Sequence, residues 1–260
     1  MSTYVFDQAA QSERERLLKL EEWLDPGTIR HLQAIGVGPG WRCLEVGAGE
    51  GSIARWLSER VQPSGRVVAT DLDTRFLDRI DDPTIEVRRH DIVSDLIEDD
   101  TYHLIHARCL LEHLPAREDV LRRMVAALRP GGWVLIEDLD VISHVSVTPS
   151  EVYERVSETA FQVMQSFGFD PTLGRRLYLM LVDAGLELTF AEGRIAMGTR
   201  LGNAGVDMFK LTLGHLREAM IATGRVDGAE VDEALRLLDD PAFIAMPPAM
   251  IAAWGRKPLN

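Results

Sequence analysis

The first half of the chain alternates short apolar runs with amphipathic segments. Runs such as 67–69 and 134–136 are almost continuously apolar, which is typical of strands covered on both faces. Residues 52–61 and 117–128 instead have apolar positions at helical spacing. The pattern predicts a first strand after Gly40, followed by strands over 66–70, 85–89, 104–108 and 133–137, with a short helix over 74–80. Alternation of strands and helices indicates a parallel sheet with right-handed crossovers.

The second half and the N-terminus are mostly helical. Residues 11–24 form an amphipathic pattern that Pro26 and Gly27 are expected to end, with a short helix following over 28–35. Beyond the first sheet segments we predict helices over 150–167, 172–184, 205–222 and 228–239, and strands over 186–197 and 249–255. Roughly fifty residues separate these last two strands, so two helices are inserted between them.

Composition restricts the class of protein. At 260 residues with 46% hydrophobic content, the chain is long enough for one large domain with an insertion. Its net charge of −13 and the absence of a Lys/Arg cluster argue against nucleic acid as a partner. No apolar run is long enough to span a bilayer, and the N-terminus does not resemble a secretory signal. Cys43 and Cys109 fall in predicted strands, so we expect buried thiols and a cytoplasmic protein.

The strongest chemical signal is a glycine-rich turn after the first strand. Glu45, Gly47, Gly49 and Gly51 give the spacing E-x-G-x-G-x-G, which differs from the dinucleotide fingerprint G-x-G-x-x-G. Glycine allows a sharp turn and a close approach of a ligand to the backbone. The acid places a carboxylate where a cation could be held. The motif therefore indicates a nucleoside-containing ligand with a positive end, and S-adenosylmethionine (SAM) is the common one.

Five segments in register resemble the motifs of class I SAM-dependent methyltransferases of the small-molecule type. They are LEVGAGEGS around the glycine turn, VVATDLD (67–73), RRHDI (88–92), YHLIHARCLLEHLP (102–115) and ALRPGGWVLIEDLD (127–140). The resemblance implies an α/β fold with three Rossmann-like layers. Its seven-stranded sheet is mostly parallel, the last strand is antiparallel, and helical cap insertions are added.

The resemblance also implies a domain organisation. Residues 1–35 would be an N-terminal helical cap segment, and 36–198 a SAM-binding core with a helical insertion around 145–170. Residues 199–242 would be a helical cap insertion, and 243–260 the last strand of the core.

By the same resemblance, the cofactor-binding residues lie at the carboxyl ends of the strands. They are Glu45, Gly47, Ala48, Gly49, Gly51, Asp71, Leu72, Asp91, Ile92, Ala107 and Arg108. Glu45 would hold the ammonium of SAM, Asp71 the ribose hydroxyls, and Asp91 with Ile92 the adenine edge. The structural alternatives are a helix cap for Asp71, a solvated turn acid for Asp91, and a structural pair of Arg108 with Glu112. S-adenosylhomocysteine (SAH) would be the product.

On the acceptor side, methyl transfer needs a base only if the acceptor carries a proton that must leave. The candidate catalytic residues are His113 after the fourth strand, Asp138 in the fifth, and His144 after it. The alternative for either histidine is a packing residue. No metal site is expected, because the fourth strand ends His106-Ala107-Arg108 without an acid.

These observations predict SAM-dependent methyl transfer to a small, fairly apolar organic acceptor, at oxygen or nitrogen rather than carbon. Two alternatives stay open: a SAM-fold protein that does not methylate, and an NAD-type Rossmann oxidoreductase. The expected partner is the small-molecule acceptor, without nucleic acid or membrane, and a homodimer is left open.

Overall fold

Of the nine strands in the described part of the chain, seven form one sheet. A computed structural model describes residues 10–197 and 203–259. The strands are Arg42–Val46 (β1), Arg66–Asp71 (β2), Ile85–Arg89 (β3), Tyr102–Arg108 (β4), Leu128–Asp140 (β5), Val145–Ser146 (β6), Glu187–Arg194 (β7), Ala245–Met246 (β8) and Ala249–Arg256 (β9). The large sheet has the order β3-β2-β1-β4-β5-β9-β7, and β6 pairs with β8 alone.

Five consecutive strands, from the edge strand β3 to β5, run parallel, since β1 pairs in parallel with β2 and β4, β2 with β3, and β4 with β5. The last strands are antiparallel, so the predicted fold class is confirmed. Parallel strands bring their carboxyl ends to one edge of the sheet, which is where α/β proteins bind ligands. Register places Glu45 opposite His106, and Arg108 opposite Glu137, close to that edge.

Seven α-helices accompany the strands. They are Ala10–Ile35 (α1), Ser52–Val61 (α2), Arg117–Ala127 (α3), Glu151–Ser166 (α4), Leu177–Asp183 (α5), Ala204–Ala222 (α6) and Gly228–Asp239 (α7). As predicted, α6 and α7 are inserted between two strands that are neighbours in the sheet, β7 and β9.

The described chain divides into two compact units. The core unit contains 24–138, 173–193 and 251–259, and the helical unit contains 10–23, 139–172, 194–197 and 203–250. In the core unit, one sheet face packs Leu44, Ile105 and Ile136 with side chains of α3 and α5. The other face packs Leu104 and Leu135 with side chains of α1 and α2. Both faces of the sheet are therefore covered, as the apolar runs predict.

The helical unit has its own apolar core. Tyr153 and Val156 of α4 pack with Phe209 and Leu216 of α6, and α7 contributes Val231 and other side chains. Its helices begin at polar caps: the Ser150 side chain accepts from the Tyr153 N–H, and a capping box of Asp227 and Glu230 starts α7. Such caps each contribute about 1 kcal/mol.

The N-terminal helix differs from the prediction. Instead of two helices broken at Pro26, α1 is one continuous helix that contains Pro26. Proline costs about 3 kcal/mol in a helix interior, so other contacts must hold this stretch. They come from Asp25, Thr28 and His31, whose side chains bond to groups on β4 and β5. Tertiary contacts therefore override the local signal.

Two further elements have bounds that differ from the prediction. The predicted helix over 74–80 is only a short 3₁₀ turn at Leu77–Arg79, and β5 begins at Leu128, ahead of the Pro-Gly-Gly sequence expected to precede it. Within the described ranges, none of the helices is both long enough and apolar enough to cross a bilayer.

Candidate active site

The glycine turn between β1 and α2 is tied to the end of β2. The N–H groups of Gly47 and Ala48 both donate to the carbonyl of Thr70, at 2.9 Å each. The N–H of Gly49 donates to Oδ2 of Asp71 at 3.0 Å. Gly47 and Gly51 have φ values of +72° and +86°, a region that residues with a Cβ rarely adopt. The turn thus requires glycine and holds the ends of two strands together.

Asp71 and Leu72, predicted cofactor residues, lie at the carboxyl end of β2 and directly after it. Oδ1 of Asp71 also accepts from the N–H of Asp73 at 3.1 Å. Burial raises the pKa of Asp71 despite these backbone donors. Leu72 exposes 53% of its surface. Asp73 accepts from the N–H of Arg75, two residues further on, and the short 3₁₀ turn at Leu77–Arg79 has no side-chain cap.

Asp91 and Ile92 form a turn after β3. The Asp91 carboxylate accepts from the N–H of Val93 at 2.9 Å and from the hydroxyl of Ser94 at 3.0 Å. Ile92 is buried, while Val93 is 42% exposed. Both Asp91 oxygens therefore stabilise the turn locally, and each keeps lone pairs for another donor.

Glu45 has a partner that the sequence did not reveal. Nδ1 of His106 lies 2.9 and 2.7 Å from the two carboxylate oxygens of Glu45, and Nε2 of His106 lies 3.2 Å from Oε2 of Glu137. All three side chains are buried. Burial opposes the charged imidazole, but Glu45 and Glu137 outweigh it and raise the pKa of His106 to about 9. At neutral pH, His106 is a buried imidazolium between two carboxylates.

The same network continues into α1. Glu137 accepts from His31 at 2.9 Å and from the hydroxyl of Thr28. Burial of Glu137 would raise its pKa, yet the hydrogen bonds from His106 and His31 bring the pKa well below its usual value. Thr28, in turn, accepts from Arg108 at 2.9 Å. The carboxylate therefore joins the ends of β4 and β5 to the N-terminal helix.

Arg108 completes the network. Its guanidinium donates to Oδ1 of Asp25 at 2.9 Å, and the hydroxyl of Ser52 donates to the same oxygen at 3.0 Å. The pair with Glu112 considered from the sequence is not formed, because the guanidinium bonds to Asp25 and Thr28. Ala107, beside it, is buried in the sheet.

A second polar cluster lies on the opposite face of β5. Oδ1 of Asp138 accepts from the N–H of Leu110 at 2.9 Å, while Oδ2 is buried without a hydrogen-bond partner. Burial and the neighbouring charge of Glu112 raise the pKa of Asp138 well above its usual value. Nε2 of His113 lies 3.4 Å from Oε1 of Glu112. The N–H of Glu112 also lies 3.5 Å from Oδ1 of Asp138, so Asp138, Glu112 and His113 lie close together at the carboxyl ends of β4 and β5.

Leu110 connects this cluster with the glycine turn. A Cβ built on Gly47 would lie 3.3 Å from Cδ1 of Leu110, whose backbone N–H is the one bonded to Asp138. The predicted catalytic residues His113 and Asp138 thus belong to the same edge of the sheet as the predicted cofactor residues.

His144, the third predicted catalytic residue, lies in the helical unit. Its ring contacts Tyr153, Phe161 and Phe209, with centroid separations of 5.7, 5.0 and 4.9 Å. Nε2 lies 3.4 Å from the Tyr153 hydroxyl, and Nδ1 has no partner. Burial lowers the pKa of His144 to about 4, so the imidazole is neutral at pH 7.

The residues present fit SAM. His106 is the single side chain bonded to the Glu45 carboxylate in the described chain, and a carboxylate offers about four lone-pair sites. Glu45 can therefore accept an ammonium as well. Asp71 ends β2, which is separated from β4 and its His106 by β1, so both residues lie toward the same edge of the sheet. Within the described ranges, no group of three or more His, Cys, Asp or Glu side chains is arranged to hold a metal ion.

A glycine turn after β1, acids ending β1 and β2, and a parallel sheet continued by antiparallel strands define a SAM-dependent methyltransferase domain. The chain belongs to the methyltransferase domain family, whose sequence model matches residues 5–186. Its cofactor is accordingly SAM, and the dehydrogenase alternative is excluded. Cofactor and enzyme class agree with the prediction from the motifs.

Individual relatives are more distant. The chain is 31% identical over 110 residues to methyltransferase str2 of Strobilurus tenacellus, covering 42% of this chain and 39% of that protein. It is 30% identical over 141 residues to the ubiquinone/menaquinone biosynthesis C-methyltransferase UbiE of Idiomarina loihiensis, covering 51% and 54%. The matches thus span about half or less of the length of these curated relatives.

Among solved structures, the fold is similar to that of Haemonchus contortus phosphoethanolamine N-methyltransferase 2, in complex with phosphomonomethylethanolamine and SAH. The TM-score is 0.63 at 16% identity, covering 99% of this chain and 60% of that one. At this identity, the likeness shows a shared fold.

Proposed function

We propose that this enzyme transfers the methyl group of SAM to a small, fairly apolar organic acceptor, at an oxygen or nitrogen that carries a proton. The observation that supports this choice of atom is the cluster of Asp138, Glu112 and His113 beside the glycine turn. A base in this position is needed only if the acceptor must lose a proton. The relatives that methylate small molecules, at carbon in one case and nitrogen in another, support the acceptor class.

In this proposal the cofactor is held by the strand-end residues. Glu45 accepts the ammonium, Asp71 the ribose hydroxyls, and the backbone at Ala107 and Arg108 faces the methionine end. Leu72 and the turn at Asp91 and Ile92 provide the adenine surface, with Gly47, Ala48, Gly49 and Gly51 below. When bound, SAM supplies an electrophilic methyl group on a sulfonium. The protein's contribution is to align the acceptor with it, since proximity and orientation can provide several kcal/mol.

The first candidate for the base is His113, and Asp138 is the second. Burial and the charge of Glu112 raise the pKa of the Asp138 carboxyl well above its usual value, so its proton affinity is higher than that of an ordinary aspartate. His144 is the weaker candidate, because a pKa of about 4 leaves little basicity at pH 7. The ring of His144 packs against Tyr153 and Phe209 of the apolar core of the helical unit, which supports the alternative of a packing residue.

Isotope transfer tests the proposal. Protein supplied with methyl-labelled SAM should label a low-molecular-weight fraction of an extract from its native host, and should leave DNA, tRNA and bulk protein unlabelled. The acidic balance of the chain, with net charge −13, supports this outcome. Stoichiometric labelling of a nucleic acid or protein would overturn the proposed acceptor class. SAH binding without any methyl transfer would favour a non-methylating SAM-fold protein.

Variants then test the base. His113→Ala should lower kcat at least about tenfold and leave the SAH affinity unchanged, because the proposed cofactor contacts are elsewhere. His103→Ala is the matched control, since His103 lies near the start of the same region in β4 and bonds to Arg42 and Arg129. Full turnover in His113→Ala would move the base to Asp138 or His144, and the corresponding Asn and Phe variants would identify it.

A further inference from the structure

The buried polar network begins and ends at the glycine turn. Glu45 lies two residues before Gly47, and Ser52 lies directly after Gly51. Between them the contacts run from Glu45 to His106, Glu137, Thr28, Arg108, Asp25 and back to Ser52. Both ends of the turn are therefore fixed through side chains of α1, β4 and β5. A change in charge at one side chain of this network therefore alters the electrostatic environment of the turn.

His106 is the centre of this network. It is completely buried, and the ionisable groups that bond to it are Glu45 from β1 and Glu137 from β5. From α1, His31 and Thr28 reach Glu137, not the imidazole. Arg108, on the same strand, is directed to Thr28 and Asp25. The positive charge of His106 is thus balanced by two carboxylates, one of which is a proposed cofactor contact.

The carboxylate of Glu45 would have to balance two positive charges. Both of its oxygens contact Nδ1 of His106, and no other side chain bonds to them in the described chain. An ammonium bound at Glu45 would become a second cation on this carboxylate. In a buried site two like charges that share one counter-ion oppose each other more strongly than they would in water.

We propose that His106 is a positioning residue: it holds the Glu45 carboxylate in place for the cofactor's ammonium, and cofactor binding and protonation of His106 oppose one another. This inference rests on the cofactor site described under the proposed function. By linkage, the ammonium lowers the proton affinity of His106, and part of a proton passes to the buffer as the cofactor binds. The adenosine part of the cofactor, which carries no ammonium, produces no such effect.

The direct test is an NMR titration of protein labelled with ¹³C in the histidine rings. The chain has 7 histidines, so the spectrum is simple to assign. In the free protein, the His106 signal should titrate near pH 9. With saturating SAH, the midpoint should fall by about one unit or more, a tenfold change in proton affinity. With saturating 5′-methylthioadenosine, which lacks the amino-acid end, it should stay within about 0.3 units of the free protein.

Calorimetry gives a second readout. At pH 8.5 in two buffers of different ionisation enthalpy, SAH binding to the wild type should release about half a proton more than binding to His106→Gln. His103→Gln, on the same strand but bonded to Arg42 and Arg129, should behave like the wild type. If His106→Gln does not fold, the NMR titration of the wild type decides alone, with the His106 signal assigned by elimination from variants at the other histidines.

The possible outcomes distinguish a failure of this inference from a failure of the proposed function. SAH that binds to the folded wild type while the His106 midpoint stays unchanged overturns the inference alone. An equal shift with 5′-methylthioadenosine also overturns it, because the ammonium would then not be the cause. A folded protein that binds no SAH removes the proposed function, and the inference with it.

Discussion

Gly51 provides a sharp test of the packing beneath the cofactor turn. Its φ of +86° lies in the left-handed region. A Cβ at this position would come within 2.8 Å of Cδ1 of Ile80 and 3.0 Å of Cδ2 of Leu77. Both side chains pack in the core face shared with α2. Gly51→Ala therefore combines two penalties, backbone strain and a steric overlap with the segment that follows β2.

Gly36 separates these penalties. Its φ of +87° is almost the same, but a Cβ there would meet nothing within 4 Å. The left-handed conformation costs an alanine about 1–2 kcal/mol, and overpacking a core adds about 1–3 kcal/mol. We expect Gly36→Ala to lower the free energy of unfolding by about 1 kcal/mol and Gly51→Ala by about 3 kcal/mol. The difference of about 2 kcal/mol isolates the overlap with Ile80 and Leu77.

Urea unfolding followed by tryptophan fluorescence measures both variants, provided that their m-values equal that of the wild type. Gly51→Ala should also weaken SAH binding, whereas Gly36→Ala, at the end of α1, should not. Equal destabilisation of the two variants, to within about 0.5 kcal/mol, would refute the described packing of the turn on these two side chains.

Three further predictions concern the acids. Glu137→Gln should lower the free energy of unfolding by about 3 kcal/mol at pH 7, because it leaves the buried imidazolium of His106 without one partner. The folded pKa of Glu137 is depressed, so the stabilising effect of its charge is lost as the pH falls. Acid titration of stability should therefore show the wild type and the variant converging below about pH 4.3. Asp138→Asn should raise the free energy of unfolding at pH 7 by about 1 kcal/mol, because the raised pKa of folded Asp138 lowers stability above about pH 3.9. In steady-state kinetics, the same variant should lose about tenfold or more in kcat. Asp71→Asn should weaken SAH binding about tenfold, or 1.4 kcal/mol, in calorimetry, and Asp73→Asn, at the exposed acid paired with Arg75, should not.

Elements with strong local signals could be located from the sequence. The strand over 85–89 and the helix over 228–239 were predicted with the bounds that the structure has. The helix start follows from a capping box, in which Asp227 and Glu230 satisfy each other's backbone N–H groups. These features depend on a few consecutive residues, so they can be read without knowledge of the tertiary fold.

The buried network could not be predicted in this way, because it depends on which residues face each other across strands. Glu45 and His106 meet only through the register of β1 with β4. A partial signal was present: Asp25, Thr28 and His31 recur every three residues and so share one face of a helix. The expectation that Pro26 ends the helix concealed it.

The position of the ionisable side chains on the sheet indicates their role. On the face covered by α1 and α2, the side chains change from apolar to ionisable as each of four neighbouring strands approaches its carboxyl end. The changes are Cys43 to Glu45 in β1, Ala69 to Asp71 in β2, Leu104 to His106 and Arg108 in β4, and Leu135 to Glu137 in β5.

Stability alone does not explain this gradient, since well-packed apolar residues usually stabilise a core at least as well as buried ion pairs. Nor does the covering helix require it, because Leu32 of α1 packs on the apolar part of the same face. The charged part coincides with the edge at which parallel sheets bind ligands. From Asp25 to His31, α1 bonds to that charged part. This stretch of the N-terminal helix therefore borders the edge of the sheet at which we propose that the cofactor binds, and its contacts with Glu137 and Arg108 connect it to the glycine turn.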